Sequence, residues 1–416
     1  MQTTFEVIVV GSGPAGMMAA LAASQAGASV LLLEKKKRGG QKLLLTGGTR
    51  CNLTNRKEIP EIIANIPGNG KFLYSALTQF GPEAIVDFFE SHGLPLKEED
   101  HGRIFPEDDR AKSVLACLQQ ALADANVTTR QNITVEKILH NETQILGVRT
   151  DLGDFATPAV IIATGGKSHP ETGSDGTGYQ LVAKLGHTIT ELKAAEAPLY
   201  LVDSFIQERT LQGLSLQEIN LKVLNPKGRV MASHTDDIIF THVGLSGPAA
   251  LRCSTFVNKL LLKETPVTIA LDCFPTRSVA ELQAQLRELA ANSKKLLHNA
   301  WQNILPERLL VFFLTKLGLM ATTAAQLQPK DLLAFCQLVK NFPLHATGTF
   351  PLAKAFVTQG GVALKEVQPK DLQSKLYAGL FFAGEVLDVN GYTGGYNLTA
   401  AFATGYVAGS QAALLS

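Results

Sequence analysis

The chain has 416 residues, 45% hydrophobic and 18% charged, with a formal net charge of +1. Such a length predicts two or three domains with large cores, and the neutral balance excludes a polycation built as a whole for nucleic acid. No apolar run reaches the roughly 18–20 residues of a membrane span, so no membrane attachment is expected. Residue Phe5 already enters a strand without a basic leader, which predicts no secretory signal. Five cysteines (Cys51, Cys117, Cys253, Cys273, Cys336) lack any C-x-x-C pair. Neither a disulfide framework nor a metal site is therefore expected, and a reducing cytoplasm is the expected location.

In chain order, Phe5–Val10 reads as a buried strand that runs into Gly11-Ser-Gly-Pro-Ala-Gly16 and an Ala-rich helix. A second apolar strand, Ser29–Leu33, ends in Glu34, 23 residues after Gly11. The loop from Lys35 follows: Lys35, Lys36, Lys37, Arg38, Lys42, Arg50, Arg56 and Lys57 are eight basic residues with no acid among them. This strip either faces the phosphates of a cofactor or presents a patch to an anionic substrate or RNA. Apolar spacing predicts one helix over Lys71–His92 and another over Ala111–Ala125. Short strands follow at Val127–Thr129, Ile133–Leu139, Gln144–Thr150 and Ala159–Ala163, the last ending in Thr164-Gly165-Gly166.

From Glu191 to Cys273 the pattern changes to short β segments at Pro198–Val202, Leu216–Val223, Val230–Ala232, Asp237–Phe240 and Val267–Leu271. That pattern predicts an inserted barrel or sandwich. Ser278-Val-Ala-Glu281 is a capping box, and Pro306 and Pro329 open further helices. The last blocks are a buried strand before Ala383-Gly384-Glu385 and a glycine pair, Gly394-Gly395-Tyr396-Asn397, opening a final helix.

Each part of the first turn has a physical task. Gly11 makes the turn, Gly13 lets backbone approach a pyrophosphate, and Gly16 permits close helix–strand packing. The helix N-terminus favours the anion, and Glu34 is placed to accept from ribose hydroxyls. Glu385 is read as an acid for the ribityl hydroxyls. Gly394–Asn397 is read as a helix start aimed at the flavin edge that gains negative charge on reduction, so FAD is the expected dinucleotide. No second strand–G-x-G-x-x-G–helix unit exists. Either the substrate reduces the flavin itself, or NAD(P)H docks transiently.

These residues resemble the aminoacetone-oxidase-like (BaiN-type) bacterial flavoproteins, related to the glutathione-reductase superfamily. The matching blocks are Gly11–Gly16, Thr46-Gly-Gly-Thr-Arg-Cys-Asn52, Gly102-Arg-Ile-Phe-Pro106, Ala163–Gly166 with Ser168-His-Pro170 and Thr172-Gly-Ser174, Phe240–Pro248, and Gly384–Asp388 with Gly394–Asn397. The resemblance implies an α/β, Rossmann-like, glutathione-reductase-type FAD domain built from both chain ends, 1–190 and 346–416. It implies an inserted β-barrel-like domain (191–276 and 342–345) carrying a small helical domain (277–341). Thr49 stands where a third glycine is usual, which costs little if its backbone angles are ordinary.

On this reading the cofactor site comprises Gly11, Gly13, Pro14, Ala15, Gly16, Glu34, Lys35, Lys42, Thr46, Gly47, Arg50, Cys51, Asn52, Val135, Ala163, Thr164, Gly165, Gly166, Gly384, Glu385, Gly394, Gly395, Tyr396, Asn397 and Leu398. The candidate catalytic residues are Cys51, a thiol acid flanked by Arg50, and His242, an acid/base or a pin for its turn. His169 is a similar candidate, Arg103 can hold an anion, and Tyr392 and Tyr396 can wall the ring. Family activities diverge, covering oxidation of small amines, reduction of bile acids, and reduction of uridine to dihydrouridine in ribosomal RNA. The expected function is an FAD-dependent oxidoreductase, in its sharpest form a ribosomal-RNA uridine reductase using NAD(P)H. A peroxide-producing amine oxidase, a reductase of another small molecule, and a non-enzymatic redox sensor are the rivals.

Overall fold

The computed structural model describes residues 5–291 and 293–415. The chain divides into two compact units, one joining the residues up to Ala195 with those from Leu352 onward, the other Glu196–Pro351. Among the described residues no helix is long and apolar enough to cross a membrane.

In the first unit a five-stranded sheet runs in the order Leu380–Phe382, Ala159–Ile162, Val7–Val10, Val30–Glu34, Thr128–Gln131. Every neighbouring pair is parallel. Leu380–Phe382, Ala159–Ile162, Val7–Val10 and Val30–Leu33 are apolar runs and wholly buried, as parallel strands covered on both faces must be. Thr128–Gln131 is polar and exposed, which suits an edge. One edge strand, Leu380–Phe382, comes from the far end of the chain, so both ends of the chain build one sheet. That agrees with the doubly assembled α/β fold expected above.

Helix Pro14–Gln25 starts at Gly13 with proline in its first turn, and nearly all its residues are buried. An all-apolar helix needs cover on every side. The final helix, Tyr396–Ala412, supplies it. The approach is backbone to backbone: a Cβ on Gly405 would lie 2.3 Å from the Ala15 carbonyl oxygen, and one on Gly409 2.1 Å from that of Ala19.

The single helix expected over Lys71–His92 is instead a 3-10 turn at Gly70–Leu73 followed by helices Tyr74–Gln79 and Pro82–Ser91. Gly81-Pro82 breaks it, because proline lacks an N–H and pushes the preceding residue out of the helical region. Gly81 lies at φ −89° and ψ −172°.

In the second unit six strands close a barrel in the order Leu199–Leu201, Gly244–Ser246, Val230–Phe240, Ser215–Leu224, Val267–Asp272, Phe342–Thr349. Two short strands expected at 230–232 and 237–240 are one 11-residue strand. Phe342–Thr349 was not anticipated as a strand. Its Pro343 and Gly348 hide the alternation that a strand would show. Helices Val279–Ala290, Glu307–Lys316 and Pro329–Lys340 share one contiguous core with the barrel. The predicted capping box forms, with Ser278 Oγ accepting from Glu281 N at 3.2 Å and Ser278 N donating to Glu281 Oε2 at 2.7 Å.

On an exposed helix Gly→Ala stabilises by about 1 kcal/mol. At Gly409 the opposite sign is expected: Gly409→Ala forces the two helices apart and lowers stability by about 1–3 kcal/mol, read as a fall in the urea midpoint.

Candidate cofactor site

The first strand ends at Val10, and Gly11 turns the chain at φ +104°, its N–H donating to Leu33 O at 2.8 Å. A Cβ on Gly11 would sit 2.6 Å from Ala163 O, and one on Gly16 only 1.8 Å from Gly11 O. Neither position admits a side chain. Gly13 differs, since nothing lies within 4 Å of its Cβ position. The start of helix Pro14–Gln25 therefore opens onto free space, with its first N–H groups unpaired within the helix. Glu34 is buried at the end of its strand, accepting from Ser12 N at 3.0 Å and Lys36 N at 2.8 Å. A carboxylate offers about four acceptor positions, so capacity for hydroxyls remains.

Beside this turn, Ala163, Thr164, Gly165 and Gly166 follow the Ala159–Ile162 strand. The Ser174 hydroxyl oxygen is buried without a hydrogen-bond partner, and a Cβ on Gly165 would lie 3.0 Å from it. Thr164 Oγ1 is likewise buried and unpaired. Open space at Gly13, a helix N-terminus and orphaned hydroxyls fit a dinucleotide phosphate chain, because an unmet buried polar atom is costly unless a ligand meets it.

Glu385 departs from its expected part. Its Oε2 accepts from Lys42 Nζ at 2.8 Å and Gly166 N at 3.3 Å, while Oε1 accepts from Thr358 N at 2.8 Å and Ser168 Oγ at 3.5 Å. With four donors its acceptor positions are filled. Glu385 is a clamp joining the basic loop, the 163–168 turn and the strand Val357–Gln359, not a free acid held out to ribityl hydroxyls. Gly384 sits beneath it at φ +74°, its N–H donating to Thr404 Oγ1 at 2.9 Å. Lys35 is held by Asp175 at 2.6 Å.

The loop from Thr46 to Asn55 is stapled to the glycine pair. Thr54 and Thr399 share a hydroxyl hydrogen bond of 2.8 Å, and Asn55 Nδ2 donates to Gly394 O at 3.1 Å. With the Asn52 amide oriented to satisfy its neighbours, its oxygen accepts from Gly395 N at 3.0 Å and its nitrogen donates to Thr54 O at 2.9 Å. Gly395, at φ +95°, caps helix Tyr396–Ala412. Its N–H is thus taken, and the Asn397 side chain is spent on Gly391 N and O, each at 2.8 Å. The N–H groups of Tyr396, Asn397 and Leu398 lie before the first intrahelical bond, Thr399 N to Gly395 O at 2.9 Å, and so have no partner within the helix.

Inside the loop, Gly47, Gly48, Thr49 and Cys51 have φ of +55°, +66°, +74° and +64°. The angles of Thr49 are therefore not ordinary. A β-branched residue there is strained, because Cβ crowds the carbonyl oxygen in left-handed backbone. Cys51 is fully buried in the core cluster with Leu43 and Leu53. Burial pushes its thiol up to about 12, against a lowering hydrogen bond with Thr46. It packs as a neutral hydrophobe and is not presented as an acid. Arg50 is equally committed: its guanidinium bonds Glu99 and Asp109, with Nε 2.7 Å from Asp109 Oδ1, and lies 4.2 Å from the Phe105 ring centroid. Its role is to brace the loop.

Elsewhere, Val135 is buried at the start of strand Val135–His140. His169 holds φ +53° and its Nδ1 lies 2.9 Å from Glu171 Oε1. Arg103 is paired with Asp100. Tyr396 is buried and Tyr392 is packed beside it in the same core. His242 belongs to the second unit, exposed in the turn closed by Thr241 N donating to Gly244 O at 2.8 Å. In that unit Glu218, Asp236 and Asp237 also converge, and Asp236 is paired with Arg252 at 3.0 Å. The polar partners Ser168, Ser174, Asn55, Thr358 and Asp109 had no assigned role in the sequence. Ser168 and Ser174 stand inside recognisable blocks, whereas Thr358 and Asp109 carried no local signal.

Two outcomes are expected. Thr49→Gly relieves the left-handed strain and raises stability by about 1 kcal/mol in a denaturant titration. Cys51→Ala keeps turnover of the FAD-loaded enzyme within a few-fold and costs stability instead, whereas a loss of about 100-fold in kcat would restore the acid role.

Residues 5–411 match the HI0933-like protein Rossmann domain. The chain is 32% identical over 413 residues to the 3-dehydro-bile acid delta(4,6)-reductase of Clostridium scindens, covering 97% of this chain and 98% of that protein. It is 31% identical over 407 residues to the ribosomal RNA dihydrouridine synthase of Escherichia coli, covering 97% and 96%. Among solved structures, 3-ketosteroid delta1-dehydrogenase from Sterolibacterium denitrificans aligns over 99% of this chain and 100% of that one, with a TM-score of 0.56 at 14% identity. At that identity the likeness speaks for the fold alone. The match over nearly the whole length, on a chain whose turn, acid and glycine pair form a dinucleotide cradle, establishes that this chain belongs to the HI0933-like family and is an FAD-dependent oxidoreductase.

Proposed function

We propose that the protein reduces a carbon–carbon double bond conjugated to a carbonyl, with electrons from NAD(P)H, and that its substrate is uridine in ribosomal RNA. The names of the two relatives support the reductive direction, one a reductase of a 3-dehydro-bile acid and the other a synthase of dihydrouridine. The reaction adds hydride to one carbon and a proton to its neighbour while NAD(P)H becomes NAD(P)+. FAD, when bound, supplies the hydride relay.

The chain's own residues do the holding. Gly11–Gly13 and the start of helix Pro14–Gln25 take the pyrophosphate, Glu34 the ribose, and the start of helix Tyr396–Ala412 the ring edge that gains charge. The observation that carries the substrate class is electrostatic. Of the eight cations in 35–57, Lys35, Lys42, Arg50 and Arg56 are each paired with carboxylates. Lys37, Arg38 and Lys57 have no ion-pair partner among the described residues, and Lys36 meets only the field of Glu171. Unpaired cations beside the cradle attract an anionic substrate and repel a cationic amine. Five free cysteines suit a reducing cytoplasm, where ribosomal RNA is found.

Anaerobic addition of NAD(P)H to the FAD-loaded protein is expected to bleach the absorbance near about 450 nm. Ribosomal RNA from a strain lacking the gene should then gain dihydrouridine, measured by nucleoside mass spectrometry. Bleaching by aminoacetone and not by NAD(P)H would make the protein an oxidase and overturn the reading.

A further inference from the structure

A cleft of about 760 Å³ lies in the first unit, outside the dinucleotide turn. Three of its lining residues are Lys37, Arg38 and Lys112. The remaining polar side chains of its lining are amides, among them Gln119, Gln131 and Asn132. No carboxylate lines it. None of the three cations has an ion-pair partner among the described residues, although the paired members of the same strip show that acids are available nearby.

The fold explains the placement. Lys112, Leu115, Ala116 and Gln119 fall at i, i+3, i+4 and i+7 on helix Ala111–Asp124, so they share one face. Opposite lie the residues that follow Glu34 and those that end the edge strand Thr128–Gln131, both at the carboxyl ends of parallel strands. This is the edge where open α/β sheets bind ligands. Gly39 also lines the cleft, and a Cβ there would lie 2.3 Å from Ser12 Oγ, so the cleft shares a wall with the phosphate turn.

We propose that this cleft is a docking site for the phosphodiester backbone of the RNA substrate. Three unpaired cations set beside amide donors suit phosphates and sugar hydroxyls, and mismatch a neutral or cationic ligand. The long, flexible lysines and exposed amides make a tracking surface that reads charge and not base identity. The proposal rests on the ribosomal-RNA reading above and adds where the polymer is held.

The test uses the FAD-loaded full chain and a fluorescein-labelled, uridine-rich single-stranded RNA of about 20 nucleotides, with anisotropy read across a salt series. The variant Lys37→Glu/Arg38→Glu/Lys112→Glu is compared with a control of equal charge change, Lys184→Glu/Lys365→Glu/Lys370→Glu. The cleft variant is expected to bind at least about 10-fold more weakly at about 0.1 M salt, with a log–log salt slope shallower by about 2, while the control stays near wild type. Both variants should keep their FAD and their bleaching by NAD(P)H. Equal weakening in the control would overturn the proposal, as would loss of FAD from the cleft variant alone, which would make the cleft part of the cofactor site. Dihydrouridine formed by wild type with unchanged RNA binding in the cleft variant would sink the docking site and leave the function standing. Cleft-dependent RNA binding with no dihydrouridine formed would do the reverse.

Discussion

The contact on which the rest depends is the bare-backbone crossing of helices Pro14–Gln25 and Tyr396–Ala412. Gly405 and Gly409 bring the last helix against the Ala15 and Ala19 carbonyl oxygens. Once they touch, two segments more than 370 residues apart share one core, and the dinucleotide turn and the glycine pair are set in one rigid frame. Dispersion between close-packed atoms falls steeply with separation, so a single methyl group at the crossing disturbs more than its own volume. The stapling of Thr46–Asn55 onto Gly394–Gly395 is the polar complement of that crossing. Thr54, Asn55 and Asn52 tie a strained loop to the cap of the last helix.

Charge is distributed with similar economy. The strip after Glu34 reads as eight cations without an acid, but folding brings Asp175, Glu385, Glu99, Asp109, Glu83 and Glu98 to four of them. Those pairs brace the loop around the cofactor cradle. Lys37 and Arg38 stay unpaired together at the cleft beside helix Ala111–Asp124. A linear stretch of like charge is thereby divided into a structural half and a half free to meet an anion.

The cost of an exposed thiol chemistry is avoided by the same loop. Cys51 has a neighbouring arginine, the usual sequence cue for an activated thiolate. Its side chain is nonetheless buried, desolvation outweighs the lowering hydrogen bond with Thr46, and the arginine's charge is already answered by Glu99 and Asp109. Residue type and adjacency do not determine reactivity where backbone angles decide which way a side chain points.

The residues alone determined the α/β dinucleotide fold, the use of both chain ends, an inserted β domain and the FAD cofactor. Local physics suffices there: unbroken apolar strands, a turn that only glycine can make, and an acid at a set distance beyond it. Tertiary structure decided what has no local signature. It broke the helix at Gly81-Pro82, joined two barrel strands into one and recruited Phe342–Thr349 to close the barrel. It filled the Glu385 carboxylate with four donors, turned Cys51 into the core, and put Thr49 at a positive φ. In each case the deciding partner lies far away in sequence or the deciding variable is a backbone angle, and neither is written in the order of residue types.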